Sequence, residues 1–289
     1  MKEKNVEVDY TSYTVSAIFI AGSMVLFFSH IIDITSQLND AYDSFSNSSK
    51  VILVWRLICF SIGASAIIYM FTCGPGNMRV VTQKKNEEIT THPVGIAKFV
   101  TFSSWTLLVN VIYFGVASLI QIFDIFELTN PEILSQIQVL AFCIGISIAF
   151  LTATVVKYII LPDEVRIGRE HSHMFLFHEQ IMHNFAAIFL AIELIITQPN
   201  LVYEFAILGL LFGLVYLTFA YYFAYFGGGY FVYSFLHPKP KTAPFFVIGL
   251  AISIAIFYLG IWLISTLDQL LSCALIATWL VLIVQFKPK

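Results

Sequence analysis

Charge is scarce in this chain. Its 289 residues include only 15 Lys and Arg and 18 Asp and Glu, or 11% charged, against about 25% in an ordinary soluble domain. A net charge of −3 provides no basic face, so nucleic acid is not an expected partner. Cysteine is scarce as well. Cys59, Cys73, Cys143 and Cys273 sit in or at the ends of apolar runs, so a disulfide framework is not expected. There is no internal repeat and no low-complexity tract. The charged start, MKEKNVEVDYTSY, and the lack of a small-residue cleavage site after the first apolar run argue against a secretory signal peptide.

What remains is overwhelmingly apolar. Hydrophobic residues make up 58% of the chain, with 28 Phe and 14 Tyr, and the mean hydropathy is +0.84. A soluble fold could not hide that much apolar surface, because much of every soluble chain faces water. A bilayer-crossing helix needs about 20 mostly apolar residues. Runs of that kind lie at about 14–33, 51–73, 99–122, 136–160, 174–197, 201–226, 244–266 and 268–286. They are continuously apolar rather than alternating, which favours helices over a β-barrel. The expected fold is an all-α polytopic membrane helix bundle of about eight transmembrane helices, a single integral membrane domain over 1–289. Gly74-Pro75-Gly76-Asn77, Pro162-Asp163, Gln198-Pro199-Asn200 and Gly227-Gly228-Gly229 punctuate the runs. Thr266, Leu267 and Asp268 leave room only for a tight hairpin between the last two. The aromatic Tyr230–Phe235 stretch is expected at the headgroup level.

Basic residues orient the bundle. Arg79, Lys84, Lys85 and Lys98 fall between runs two and three, Lys157, Arg166 and Arg169 between four and five, and Lys239 and Lys241 between six and seven. Lys2, Lys4, Lys287 and Lys289 lie at the ends. All share one side if the count of spans is even, so both termini are expected to be cytoplasmic.

Ionisable residues inside spans are costly and mark candidate sites. His183 lies well inside the fifth run, with Glu179 at i−4, Gln180 at i−3, and Glu193 ten residues further on. The third run opens Thr101-Phe102-Ser103-Ser104-Trp105-Thr106, rich in hydroxyls for lipid contact. At 1.5 Å per residue Ser103 is about 6 Å and His183 about 13 Å deep, a gap that helix tilt of ~20° and side-chain reach can mostly close. A hydroxyl beside an imidazole is a nucleophile–base pair, because His accepts the alcohol proton near neutral pH. The bland alternative is that Ser and Thr bond to backbone carbonyls at helix interfaces. His171, His173, His178 and His183 also suggest a histidine box, yet His178 and His183 are five residues apart, about 140° on an α-helix. No metal is expected, and His171 and His173 are assigned to a solvated loop. Arg56 is expected to snorkel or to pair with an acid such as Asp33. Tyr216, Tyr221, Tyr222 and Tyr225 are expected to pack.

Three segments carry a family resemblance: Phe102-Ser103-Ser104-Trp105 through Tyr113-Phe114-Gly115, His183 through Glu193, and Gly229-Tyr230-Phe231-Val232-Tyr233-Ser234-Phe235-Leu236. Together they resemble the androgen-induced-gene family, which includes the androgen-dependent regulator of tissue factor pathway inhibitor, with rolling-stone-like relatives. The likeness covers about 50–266, so the spans at 14–33 and 268–286 would be additions to the family core. Members are described as intramembrane hydrolases of fatty-acid esters of hydroxy fatty acids that use a threonine nucleophile and a histidine. Carried over, the histidine is His183 and the nucleophile Ser103, with Thr101 as the alternative in a shifted register. The implied activity is hydrolysis of a lipid ester without a cofactor, in the endoplasmic reticulum or plasma membrane. Glu179 would orient His183. Gln180 or Ser104 would help an oxyanion, and Glu193 would join the substrate cavity. The competing expectation is a non-catalytic lipid-binding or transport protein whose polar cavity is lined by Ser103, His183 and Glu193.

Overall fold

The computed structural model describes residues 11–45, 49–238, 240 and 242–287. Lys2, Lys4, Lys239, Lys241 and Lys289, counted above for orientation, lie outside them. The chain forms an all-α polytopic bundle with one small sheet. Seven helical stretches among the described residues are long and apolar enough to cross a membrane. In chain order the helices are α1 (Thr11–Ser29), α2 (Ile31–Phe45), α3 (Lys50–Thr72), α4 (Phe102–Ile125), α5 (Glu132–Val155), α6 (Leu161–Arg166), α7 (Phe177–Gln180), α8 (Ala186–Thr197), α9 (Ala206–Phe226), α10 (Ala243–Ser265) and α11 (Gln269–Ile283).

α5 is the central rod. Phe142, Ile146 and Phe150 on it are fully buried, and it packs against α2, α4, α8, α9 and α10. The outer helices turn apolar side chains outward, as a bilayer rewards. α1 is the extreme case: Val25 and Phe28 are exposed, whereas its buried residues are Ser12, Ser16 and Ser23, small side chains that allow close helix approach.

α2 was not anticipated. Its helix is amphipathic, burying Ile34, Leu38, Ala41 and Phe45 and exposing Asp33 and Asp40. The 268–286 run is shorter than expected as a helix. α11 has 15 residues, about 22 Å at 1.5 Å per residue. Asp268 caps it, its carboxylate accepting from the Leu271 N–H at 3.1 Å, which makes the expected tight hairpin with α10.

Two π-helical turns interrupt the longest rods. Val156–Ile160 joins α5 to α6, and Ile181–Phe185 joins α7 to α8. The first corrects the expected end of the fourth span at Pro162-Asp163. The rod continues to Arg166, because the π turn resets the register and Pro162 then falls in the first turn of α6, where its missing N–H is not needed.

The loops on the basic side fold into a sheet of order β2-β1-β3, comprising β1 (Met78–Thr82), β2 (Glu88–Thr91) and β3 (Tyr230–Phe231). β3 pairs antiparallel to β1, Val81 opposite Phe231 and Thr82 opposite Tyr230. Of the aromatic stretch after Gly229, Tyr230 and Phe231 form this strand and Ser234–Leu236 a 3-10 turn. Phe231 is buried. Gly229, at φ +73°, supplies the left-handed residue that turns the chain out of α9 into the strand.

Candidate active site

A cavity of about 220 Å³ opens where the start of α4, the end of α5, the α7–π–α8 rod, α9, α10 and the segment after β3 meet. Its walls are mostly apolar, with Leu151, Val155, Leu214, Leu217, Val247 and Ile254 among them. Its polar lining includes Thr101, Ser103, Glu179 and His183. The hydroxyl and imidazole from separate helices thus face one space.

The start of α4 explains how the hydroxyls are held. Thr101 is the N-cap, its side chain accepting from the Ser104 N–H at 3.1 Å. A threonine cap satisfies a backbone donor that the helix cannot. Lys98 sets the preceding turn: it is buried, and its ammonium donates to the Met70 carbonyl at 2.6 Å and to that of Gly74, closing the end of α3. Ser103 lies on the second residue of α4, where the positive end of the helix favours a developing alkoxide. Its Oγ donates to Thr101 Oγ1 at 3.2 Å. Ser104 is turned away from the cavity and donates to the Lys98 carbonyl at 2.9 Å.

His183 sits in the second π turn. Its Nε2 is 3.3 Å from one oxygen of Glu179, and His178 Nε2 is 3.3 Å from the other. The expected role of Glu179 as a neighbour of the imidazole fits this contact. The 140° separation expected for His178 and His183 is corrected. A π turn takes in more residues than an α turn, so positions five apart come onto one face. The Nδ1 atoms of both imidazoles are buried and have no hydrogen-bond partner among the described residues. Also among the described residues, no group of three or more His, Cys, Asp or Glu is arranged to hold a metal ion.

Four assignments move. Gln180 is not in the cavity lining; its carbonyl oxygen accepts from Asn184 at 2.9 Å. Glu193 is likewise absent from the lining. It is fully buried among Arg56 Nε at 2.7 Å, Trp55 Nε1 at 3.0 Å and the Tyr113 hydroxyl at 2.9 Å. Arg56 therefore pairs with Glu193 and not with Asp33, which lies on the exposed face of α2 near His30. An arginine at this depth needs a buried counter-charge. His173, assigned above to a solvated loop, lines the cavity.

Sequence reasoning missed the mouth of the cavity. Arg79, on β1, contacts Asp163 at 2.7 Å and Glu164 at 3.6 Å, and Arg169 contacts Glu164 at 3.0 Å and also Asn77. Arg79, Glu164, Arg169 and Asn77 all line the cavity. Burial holds the His173 imidazole below its usual value and Arg169 adds to this, against the pull of Glu179 and Glu170, so this ring is neutral near pH 7. The only forewarning was the clustering of basic residues in these loops. Tyr216 packs as expected, its ring against Phe102 and Trp105; it also lines the cavity, and its hydroxyl donates to the Val100 carbonyl at 2.9 Å.

The fold defines a polytopic α-helical membrane protein with an internal, mostly apolar cavity. The chain matches no family model, no curated protein sequence and no solved structure.

Proposed function

We propose that the protein is an intramembrane serine hydrolase of a lipid ester. The observation that carries this is the shared lining of one apolar cavity by Ser103, Thr101, His183 and Glu179. An acyl chain would occupy the apolar walls, and its ester carbonyl would lie at the hydroxyls. Ser103 Oγ would attack the carbonyl carbon while His183 takes its proton. The imidazolium would then protonate the leaving alcohol, and the cycle would reverse with water. Glu179, 3.3 Å from His183 Nε2, supplies the negative charge that stabilises an imidazolium, as the third member of a triad does. The Nδ1 of His183, which has no hydrogen-bond partner among the described residues, would take the serine proton. Apo geometry is often slack in such pairs and tightens with substrate.

Ser103 is preferred to Thr101 as nucleophile because the Thr101 oxygen is occupied: it caps the Ser104 N–H and also contacts the Ser104 and Ser103 hydroxyls. The resemblance to the androgen-induced-gene family, whose described members cleave fatty-acid esters of hydroxy fatty acids, points to the same class of substrate. Purified protein in nanodiscs should hydrolyse long-chain lipid esters, and Ser103→Ala and His183→Ala should each lower kcat by about 10²–10⁴-fold. Binding of such esters without turnover in the wild type would favour the lipid-binding alternative and end the catalytic reading.

A further inference from the structure

Resting on that hydrolase reading, we propose that Tyr233 is a further catalytic residue, whose phenol O–H donates a hydrogen bond to the oxyanion formed when Ser103 attacks an ester carbonyl. Tyr233 lines the cavity beside Ser103. It follows β3, so the strand pairing of Tyr230 and Phe231 to β1 delivers it to the start of α4. Its ring stacks on Phe235 at 5.0 Å with an 8° interplanar angle, which fixes the direction of the phenol.

The hydroxyl oxygen accepts the Phe102 N–H at 3.1 Å. That bond uses a lone pair of the oxygen and does not spend the phenol proton. It also polarises the O–H, because a hydroxyl that accepts one bond donates a stronger second one. Because Phe102 is the residue before Ser103, the phenol lies at the nucleophile's own turn, and Ser103 and Tyr216 line the same cavity. Burial pushes the Tyr233 phenol up to about 12, against the opposing pull of the Phe102 and Ser103 hydrogen bonds. The group is therefore protonated at neutral pH and remains a donor.

The step balances. A lone pair of Ser103 Oγ forms the new C–O bond, the serine proton passes to His183, and the carbonyl π pair moves onto the carbonyl oxygen. That oxygen is bonded to the carbon which Ser103 has just joined, so a donor held at the Phe102 N–H, one residue before Ser103, lies on the side where that oxygen forms. Tyr233 transfers no proton. It stabilises charge that exists only in and near the transition state, so it acts on kcat and leaves substrate binding largely alone.

The test compares wild type, Tyr233→Phe, Phe235→Leu and Ser103→Ala as full-length protein in nanodiscs, with a p-nitrophenyl long-chain ester. Removing one oxyanion donor typically lowers kcat by about 10²–10³-fold. Tyr233→Phe should show a fall of that size with KM within about threefold and an unchanged unfolding temperature. Phe235→Leu, which removes the stacked ring and keeps the hydroxyl, should stay within about tenfold. Should Tyr233→Phe not fold, p-aminophenylalanine at position 233 keeps the ring shape with a weaker donor and should give an intermediate kcat. A kcat for Tyr233→Phe within about threefold of wild type, with Ser103→Ala inactive, overturns the Tyr233 role and leaves the hydrolase reading standing. So does a p-aminophenylalanine variant as fast as wild type. Full activity in Ser103→Ala, or no turnover by the wild type, overturns both.

Discussion

At the scale of single residues, chemistry depends on what each polar side chain is already committed to. Thr101 is spent on capping α4, Ser104 on the Lys98 carbonyl and Glu193 on Arg56. Ser103, His183 and Glu179 line the cavity, with the Ser103 hydroxyl held by a 3.2 Å bond to Thr101. Glu179 is the informative test of the group, because its carboxylate touches two imidazoles and no hydroxyl nucleophile. Glu179→Gln keeps the shape and removes the charge that favours an imidazolium. It should lower kcat for ester hydrolysis at least about tenfold with KM little changed, as steady-state kinetics would read. An equal loss in kcat and in folded protein would reduce Glu179 to a structural role. That Ser103, His183 and Glu179 would line one cavity was legible in the sequence, because ionisable and hydroxyl groups inside apolar runs tend to turn inward from lipid. The loss of Gln180 and Glu193 from the site was not, since an i−3 offset or an H-x₉-E spacing says nothing about which neighbour a side chain meets across the bundle.

At the scale of elements, the buried pair between Arg56 on α3 and Glu193 on α8 ties the two rods together far from the cavity. Arg56 also donates to Gln121 at 3.1 Å on α4 and to the Phe45 carbonyl at 3.4 Å at the end of α2. One side chain thus joins four helices. Removing one member of a buried pair strands the other charge and costs about 3–5 kcal/mol. Glu193→Leu should destabilise the protein by that order in thermal or denaturant unfolding, while Arg56→Met with Glu193→Leu together should recover much of the loss. A single substitution without effect would contradict the assignment.

The elements themselves were unevenly legible. The apolar runs located the long helices closely, because about 20 apolar residues admit few other structures in a bilayer. The π turns carried no local signal; they show only through the alignment of His178 with His183 and the continuation of the rod past Pro162. β3 was hidden because its partner, β1, lies some 150 residues earlier, and an aromatic run after glycines suits a headgroup belt equally well. α2 was missed for lack of length and hydropathy, though its period is helical.

At the scale of the whole molecule, the architecture is a wrapped rod: α5 at the centre, lipid-facing helices around it, and a small sheet over one end of the cavity. The sheet, the Asp163–Arg169 turn and the end of α11 lie on one side. Lys157 donates to the carbonyls of Leu282 at 2.6 Å and Val284 at 3.0 Å. Asn184, next to His183, exchanges two hydrogen bonds with the Gln285 backbone at 2.8 and 2.9 Å. α11 therefore descends from its hairpin with α10 to the level of the π turns. The sequence-based orientation then makes a joint prediction. Single cysteines placed at Lys85, in the β1–β2 hairpin, and at Lys287 should react with an impermeant maleimide from the same, cytoplasmic, side, and one at Glu127 from the other. Labelling of 85 and 287 from opposite sides would break the proposed topology.

The central claim is that the Ser103 hydroxyl is a nucleophile served by His183 inside the bilayer. The most direct measurement is the site and His183 dependence of phosphonylation. Wild-type protein is treated with a long-chain fluorophosphonate and digested, and the adduct is located by mass spectrometry. The account predicts one adduct on Ser103, absent from His183→Ala. An adduct on another residue, or no adduct on a wild-type protein that is folded and binds lipid, would contradict it.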